Sequence, residues 1–539
     1  MSDTPLPTLR VAGAVDSALA PDVLDTLGVA DLARFLAHRR WFAGKGRTVT
    51  STAMRDIVPL AWASYRAAAA RLEVETDDGA VAEYQLLLSA LPPSALPRSY
   101  VPIARIDSQE EGDGFLIDAT EDPTFRALLG TTFETGAVFV ANHARWTVEP
   151  LAGQAARVEP DGDTRVIAGE QSNTSIVYDD HAILKLFRRL EPGDHPDVEI
   201  GRFLATRTDF RGTPALLGVI TFEWEGAPSV AGMLQRFVPG ADNAWEYALR
   251  SAREYLRAKG EPPVRATGVA RTRATREVPA RATHEPPANP FARDAERLGR
   301  VTRALHEALA SDGANPDFAP ARASAEDLDR WAAETRAMMA RALELLDARV
   351  QAGALDGRAT AAARALLGRR DALDDRVTEM VSAIGDDLGM RIRTHGDYHL
   401  GQVLRTPDAH FLIIDFEGEP ARPLAERRAK VSPLRDVAGM LRSFAYAASM
   451  SARELAGERI DPTVEIRSAH WEREARAAFL EGYLHADDAS SALLPHARDD
   501  TEALLMLFDT EKVFYELAYE LNNRPEWVWV PLRGVAKLL

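Results

Sequence analysis

Two nearby stretches hold the residues best suited to chemistry. The first is Thr394-His395-Gly396-Asp397-Tyr398-His399-Leu400-Gly401-Gln402-Val403-Leu404, and the second is Phe411-Leu412-Ile413-Ile414-Asp415-Phe416-Glu417. The apolar run Leu412 to Ile414 reads as a strand that delivers Asp415 at its end, where a sheet hands a ligand to a cleft. Asp397 precedes it in a loop that also carries a histidine, a glycine and an amide. Two carboxylates and an amide oxygen can hold Mg²⁺ and orient a hydroxyl, which are the parts phosphoryl transfer requires. Each piece alone is commonplace, and it is their order and spacing together that carry the signal. His395 and His399 stand four apart, as zinc ligands on a helix would. Gly396 and the loop context oppose that helix, and no HExxH order is present.

A transferred phosphate also needs a grip on its donor. Gly169-Glu170-Gln171-Ser172-Asn173-Thr174-Ser175 lies between two strand-like runs and could cover phosphates with N–H groups and short hydroxyls. It lacks the Gly-Lys-Ser ending of a Walker loop, and a plain hairpin would read the same way. Lys185 falls inside the apolar strand Ile183 to Phe187 and by period two shares a face with both. A lysine there is costly to desolvate unless an anion meets it. Glu199 follows on a helix opened by Asp194-His195-Pro196.

The C-terminal segment from Glu511 to Leu532 is rich in aromatic and acidic residues. Glu516 and Glu520 share one helical face, and Tyr515 and Tyr519 share its neighbour. Aromatic rings beside carboxylates and amides suit a sugar, whose C–H faces stack while its hydroxyls seek acceptors. An amphipathic helix that buries its aromatics in a core would look alike.

The elements that must position these residues can be read coarsely. The first 150 or so residues form an α/β unit: a helix at Val29 to Leu36, the basic stretch His38 to Arg47, and strands at Arg71 to Glu75 and Val81 to Leu88 joined by the turn signal Asp77-Asp78-Gly79. A further strand, Gly114 to Asp118, precedes a short helix at Pro123 to Leu129. From about Val158 come short strands, including Ser175 to Tyr178 and Ala182 to Phe187. A helix near Pro196 to Thr206 follows, then strands at Ala215 to Phe222 and Val230 to Val238. Ala258 to Pro290 is rich in Arg, Ala, Pro and Thr and reads as a flexible insertion. The remainder is mostly helical, with helices expected at Arg293 to Leu309, Ala325 to Val350 and Ala359 to Ile384. Two short strands flank Arg405 to His410.

The 539 residues suggest several domains. With 64 Lys and Arg against 81 Asp and Glu, the net charge of −17 disfavours nucleic acid or an anionic membrane as the main partner. The absence of cysteine excludes disulfides, thiolate nucleophiles and Cys-ligated zinc. No secretory signal and no apolar run long enough to span a bilayer is seen, so a cytoplasmic location is expected.

These segments together resemble the kinase-like phosphotransferases, the aminoglycoside and choline kinase groups among them. The resemblance implies an α+β, bilobal eukaryotic-kinase-like fold using ATP and Mg²⁺. It makes Asp397 the residue that steers the acceptor proton, Asp415 a direct Mg²⁺ ligand and Gln402 a second one where most of those families have Asn. Lys185 becomes the phosphate ligand with Glu199 as its ion-pair partner. Gly169, Gln171, Ser172, Asn173, Thr174 and Ser175 become the loop over the phosphates. Gln235, Phe237 and Val238 become the hinge strand that meets adenine, and Asp436 a buttress of the catalytic loop.

A closer resemblance, to the bacterial maltokinases, rests on several runs. They are residues 169–175, His195 to Glu199, His395 to Gln402, Asp415 to Pro420, Ser432 to Asp436, Asn523-Arg524-Pro525 and Arg40-Trp41-Phe42. It implies an N-terminal cap (1–155), a β-rich ATP lobe (156–239) and a mainly helical C-lobe (240–539) with the 258–290 insertion. It also implies transfer of the ATP γ-phosphate to maltose, giving maltose 1-phosphate for α-glucan synthesis from trehalose, with trehalose synthase as a partner. His395, Asp397, Glu516, Tyr519, Glu520, Asn523, Arg524 and Trp527 are then expected at the acceptor. A kinase of another sugar or an aminosugar such as glucosamine remains open, and a non-catalytic nucleotide-binding scaffold is the remote alternative.

Overall fold

The computed structural model describes residues 5–63, 65–151, 158, 162–167, 172–258, 289–419, 422–456, 461–484 and 493–538. Gly169, Gln171 and most of the 258–290 insertion lie outside them. The chain divides into two compact units, one of Met1–Ala205 with Pro214–Pro239 and one of Thr206–Thr213 with Gly240–Leu539. Among the described residues, no helix is long and apolar enough to cross a membrane.

The first unit is built on two sheets. One runs in the order Thr8–Val11, Pro102–Ser108, Gly112–Asp118, Val81–Leu91, Tyr65–Thr76, Val49–Trp62, with Arg189–Leu190 paired to Val81–Leu91. The turn read at Asp77-Asp78-Gly79 is present, and Gly79 supplies its left-handed residue with φ +77°. The other sheet is antiparallel: Ala137–Ala141, Ala144–Pro150, Leu216–Trp224, Ala227–Arg236, Ala182–Phe187, Asn173–Tyr178, Thr164–Val166. The helix Pro123–Thr135 starts where Asp122 accepts a hydrogen bond from the Thr124 N–H, with proline in its first turn.

Two buried polar residues join these sheets. Gln85 is fully buried on Val81–Leu91. Its amide donates to the carbonyls of Phe187 (3.3 Å) and Ala231 (3.0 Å), and its oxygen accepts from Trp146 Nε1 (2.9 Å). Its backbone N–H donates to the Arg188 carbonyl at 2.7 Å. Arg188, 1% exposed, pairs with Asp118 at 2.9 Å. It also donates to the hydroxyls of Thr174 (2.8 Å) and Thr120 (2.9 Å) and lies 5.1 Å from the Trp41 ring centre. Burial opposes the charge on Asp118, but Arg188 and then Arg39 outweigh it and hold its carboxyl below the ordinary value.

The second unit is mainly helical, with a small sheet of Asp242–Asn243, Val403–Arg405 and Phe411–Ile413. Its C-terminal helix Arg498–Asn523 buries Leu504, Leu507, Phe508, Val513, Phe514, Leu517 and Leu521, a three-four spacing that gives one continuous apolar stripe. Each such side chain contributes about 1.5–3 kcal/mol on burial. The stripe packs with residues of Ala325–Gln351, Gly357–Leu367 and Trp529–Ala536. The single helix expected over Ala359 to Ile384 is two, Gly357–Leu367 and Arg370–Ala383. Gly368, a poor helix former, caps the first, and Arg369 leaves helical geometry with φ −122° and ψ 25°. Asn289, read as part of the 258–290 insertion, is fully buried, and its side chain accepts from the Phe291 N–H at the start of Phe291–Leu309.

Replacing Gln85 by Leu leaves the Trp146 N–H and two carbonyls without its amide. The variant is expected to lose about 2–4 kcal/mol of stability in urea titration. A variant as stable as the wild type would show that this amide does not tie the sheets together.

Candidate active site

The loop 394–402 owes its shape to Asp436, at the start of the helix Leu434–Ala456. Asp436 is 2% exposed. Its carboxylate accepts from the backbone N–H of His395 (2.7 Å) and of Gly396 (3.0 Å). His306 Nε2 lies 3.2 Å from the same carboxylate, and His306 Nδ1 lies 2.9 Å from the Tyr483 hydroxyl. Burial raises the cost of the Asp436 charge, yet His306, His395 and the backbone donors hold its carboxyl below the ordinary value. Gly396 takes φ +84°, and a Cβ there would meet the Gly418 Cα at 3.1 Å. Glycine at 396 therefore lets the loop of Asp397 lie against the segment that follows Asp415.

Asp397 is met by Lys512, whose Nζ donates to Oδ1 at 3.4 Å. His399 Nε2 stands 3.9 Å from Oδ2, while His399 Nδ1 accepts from the Gly401 N–H at 3.0 Å. Burial works against the Asp397 charge. Lys512, then His399 and His395, outweigh it and keep the carboxyl below its usual value. His399 is pushed down by burial despite Asp397, which favours the neutral ring at pH 7.

Asp415 sits just past the strand Phe411–Ile413 with φ +69°, a left-handed conformation that non-glycine residues hold at a cost of about 1–3 kcal/mol, mostly at functional sites. The Gln402 amide donates to Asp415 Oδ2 at 2.8 Å. A half-turn of that amide would present its oxygen beside the carboxylate. An oxygen set of this kind suits Mg²⁺, a hard cation that prefers carboxylate and carbonyl oxygens.

Beside Asp397 opens a cavity of about 650 Å³ lined by Trp245, His399, Tyr446, Tyr515, Glu516, Tyr519, Glu520, Arg524 and Trp527, among others. Tyr515 and Tyr519 stack with ring centres 6.3 Å apart, and the Arg524 guanidinium lies 4.4 Å from the Trp527 ring centre. Each acid here has its own cation. Glu516 accepts from Arg442 Nε (2.9 Å) and Nη2 (2.7 Å), and Glu520 accepts from Arg524 (3.0 and 2.8 Å) and from the Tyr446 hydroxyl (3.1 Å). Glu419 accepts from Arg422 at 2.9 Å, and Asp397 from Lys512. Burial still pushes the Glu516 and Glu520 carboxyls upward, with the arginines pulling back.

Two residues expected at the acceptor are placed elsewhere. His395 is 1% exposed, between the rings of Tyr398 and Phe416. Its Nε2 donates to the Ile414 carbonyl (2.9 Å) and its Nδ1 accepts from the Asp397 N–H (3.4 Å), so both nitrogens are used in shaping the loop. Asn523 is exposed, and its amide donates to the Tyr519 carbonyl at 2.9 Å rather than lining the cavity. Lys512, Trp245, Arg442 and Glu419 were missed. Lys512 shares a helical face with Tyr515, Glu516 and Tyr519, and that face was the signal that could have found it.

In the first unit, Lys185 lies opposite Ser175 and Met233 in the sheet. Its Nζ stands 3.2 Å from Asp197 Oδ2. Asp197, which the sequence alone did not single out, shares its first helical turn with Glu199, the expected partner of Lys185. His195 stacks on Phe187 with ring centres 4.0 Å apart. Of the expected phosphate loop, Ser172 is exposed, whereas Asn173, Thr174 and Ser175 are buried residues of the strand Asn173–Tyr178, and the Thr174 hydroxyl is engaged by Arg188. Gln235 lies opposite Ile183, and the Phe237 N–H donates to the His181 carbonyl at 2.9 Å, so it is not open to an adenine edge. Val238 is half-buried.

Residues 35–122 match the family model described as the maltokinase N-terminal cap domain. Glucosamine kinase from Mycolicibacterium smegmatis is 27% identical over 403 residues, covering 74% of this chain and 84% of that protein. Glucosamine kinase from Streptacidiphilus jiangxiensis is 26% identical over 404 residues, covering 74% and 77%. A solved structure of a glucosamine kinase with glucosamine, ADP and inorganic phosphate superposes with a TM-score of 0.58 at 20% identity, over 94% of this chain and 99% of that one. A second crystal form of a glucosamine kinase gives 0.60 with the same identity and coverage. The chain has a maltokinase-type N-terminal cap and the glucosamine kinase fold. Trp41, Gln85, Asp118 and Thr120, the residues that reach Arg188 and its neighbours, all fall inside the matched cap.

The lowered Asp436 carboxyl fixes the sign of a pH effect. Its contribution to stability is present above the ordinary carboxylate value of about 3.9 and is lost as pH falls through the lower folded value. Asp436→Asn is therefore expected to be about 2–4 kcal/mol less stable than the wild type at pH 7, with the difference narrowing below pH of about 4. Urea unfolding of both proteins across that range checks this, and a difference that widens toward acid would refute it.

Proposed function

We propose that this protein is an ATP-dependent sugar kinase that transfers the γ-phosphoryl group to maltose, forming maltose 1-phosphate for α-glucan synthesis. Trehalose synthase is the expected supplier of that maltose. The observation that carries the reading is an ionised aspartate, Asp397, at the edge of an aromatic-walled cavity of about 650 Å³, a size typical of ligand sites. The relatives named as glucosamine kinases support phosphoryl transfer to a sugar.

In this mechanism Asp397 orients the acceptor hydroxyl and takes its proton. Asp415 and Gln402 would hold Mg²⁺, which would supply positive charge to offset that of the transferred phosphate. Lys185, held by Asp197, serves the donor phosphates, with Glu199 and the 169–172 stretch as the further expected contributors. Tyr515, Tyr519 and the two tryptophans offer faces to sugar C–H groups. Glu516, Glu520 and Arg524 are left with the hydroxyls. Catalysis is then positioning and charge neutralisation.

The acceptor separates two readings. One cation stands for each acid around the cavity, which leaves no spare carboxylate for an ammonium group and favours a neutral sugar such as maltose. The names of the relatives favour glucosamine. ADP release with ATP and Mg²⁺ against maltose, glucose, glucosamine and trehalose decides between them. Turnover with maltose is expected, turnover with glucosamine alone would replace the acceptor, and none with any sugar would overturn the kinase reading. Asp397→Ala is expected to lower kcat by about 10²–10⁴-fold with little change in the KM for ATP. Equal activity would remove Asp397 from the mechanism.

A further inference from the structure

We propose that Lys512 is a positioning residue for the phosphoryl transfer: it fixes the Asp397 carboxylate for the acceptor hydroxyl and remains as the cation beside the newly formed phosphate ester. The proposal rests on the kinase reading above, in which Lys512 has no part.

The geometry is specific. Lys512 lies on the buried helix Arg498–Asn523, whose neighbouring residues Val513 and Phe514 anchor it in the core. Its ammonium donates to Asp397 Oδ1 at 3.4 Å and stands 4.6 Å from the Tyr515 ring centre. It lines the 650 Å³ cavity and also a smaller one of about 100 Å³ behind Asp397, walled by Thr394, Gly396, Gly418 and Arg435. A half-buried ammonium needs anions. It has Asp397, Glu419 and Glu516 about it, which favour its charged form against burial. The groups nearest Asp397 are Lys512 and Tyr515 from the C-terminal helix, His395 and His399 from its own loop, and Glu419 from the segment after Asp415. Arg422, Arg427 and Arg435 line the smaller cavity with it, Arg422 paired to Glu419 and Arg435 to Glu334 and Glu511. Lys512 is the permanent cation that donates to Asp397 itself.

The chemistry gives this cation two successive partners. The acceptor oxygen forms a bond to the γ-phosphorus. The bond from that phosphorus to the bridging oxygen breaks, and its electron pair leaves with ADP. The hydroxyl proton passes to Asp397. Asp397 is then neutral, and the anion left for Lys512 is the phosphate monoester. Lys512 keeps its proton throughout.

The test compares Lys512→Met and Lys512→Arg with the wild type. Lys512→Met is expected to lower kcat about 100-fold with the KM for ATP within about twofold. Its acid limb of kcat against pH is expected to move up by about one unit or more, because an opposite charge at this distance is removed. Lys512→Arg, which keeps the charge, is expected to return the limb toward its wild-type position. An independent readout uses neither sugar nor nucleotide. The ¹³C-carboxyl resonance that disappears in Asp397→Asn is titrated by NMR in the wild type and in Lys512→Met, and is expected to titrate at higher pH in the latter. An unmoved titration, or a kcat within about threefold of the wild type, overturns the proposal. If the wild type phosphorylates no sugar, the kinase reading fails, while the carboxyl titration still decides whether Lys512 controls Asp397.

Discussion

A carboxylate buried to 2% exposure at a helix start governs the second unit. Such a group is tolerated only when paired, and Asp436 finds its partners in two consecutive backbone N–H groups and a buried histidine. Those two N–H groups belong to His395 and Gly396, so satisfying the acid dictates the path of the loop. Once Gly396 has turned with positive φ and closed against Gly418, the Asp397 loop and the segment beyond Asp415 lie side by side. His395 completes the fixation by donating to the Ile414 carbonyl, immediately before Asp415. The Asp397 loop is thus shaped by groups outside the proposed chemistry, which is the arrangement that positioning catalysis requires.

The first unit solves a parallel problem with a buried cation and a buried amide. Arg188 and Gln85 both act on the strand that carries Lys185, one from its end and the other through the Phe187 carbonyl. Their partners are cap residues, so the cap does more than cover surface: it supplies Asp118, Thr120 and Trp41 to an arginine that would otherwise be buried without an anion. Removing cap contacts would therefore be felt at Lys185, three residues before Arg188.

Much of this was legible in the sequence. The strands around Gly79 and most of the long helices follow from period and turn chemistry, and the cap was readable from its likeness to maltokinases. Other features were not. His395 sits in the loop beside Asp397, and nothing local distinguishes a histidine aimed at substrate from one whose two nitrogens are consumed by backbone groups. Asn173 to Ser175 are small and polar, which suggests a loop, yet Arg188 draws Thr174 into a buried strand. Asp197 and Glu199 occupy the same helical turn, and only the sheet's position brings Asp197 to Lys185. Lys512 depends on tertiary placement of the C-terminal helix, over a hundred positions from Asp397 in sequence.

The cavity beside Asp397 bears on the proposed acceptor, because a relative's substrate does not transfer with its fold. At 27% identity a fold can persist while the charges within a cavity change. A cationic sugar needs a carboxylate whose charge is not already neutralised, and here Arg442, Arg524, Arg422 and Lys512 each engage one acid. Admitting an ammonium would mean drawing on one of these paired acids, and for the buried Arg442 losing Glu516 would be costly. A neutral sugar displaces none of them: it needs only hydroxyl partners, which the remaining lone pairs and Tyr446, Tyr515 and Trp245 provide. Selectivity would then lie less in the shape of the cavity than in how completely its charges are already paired.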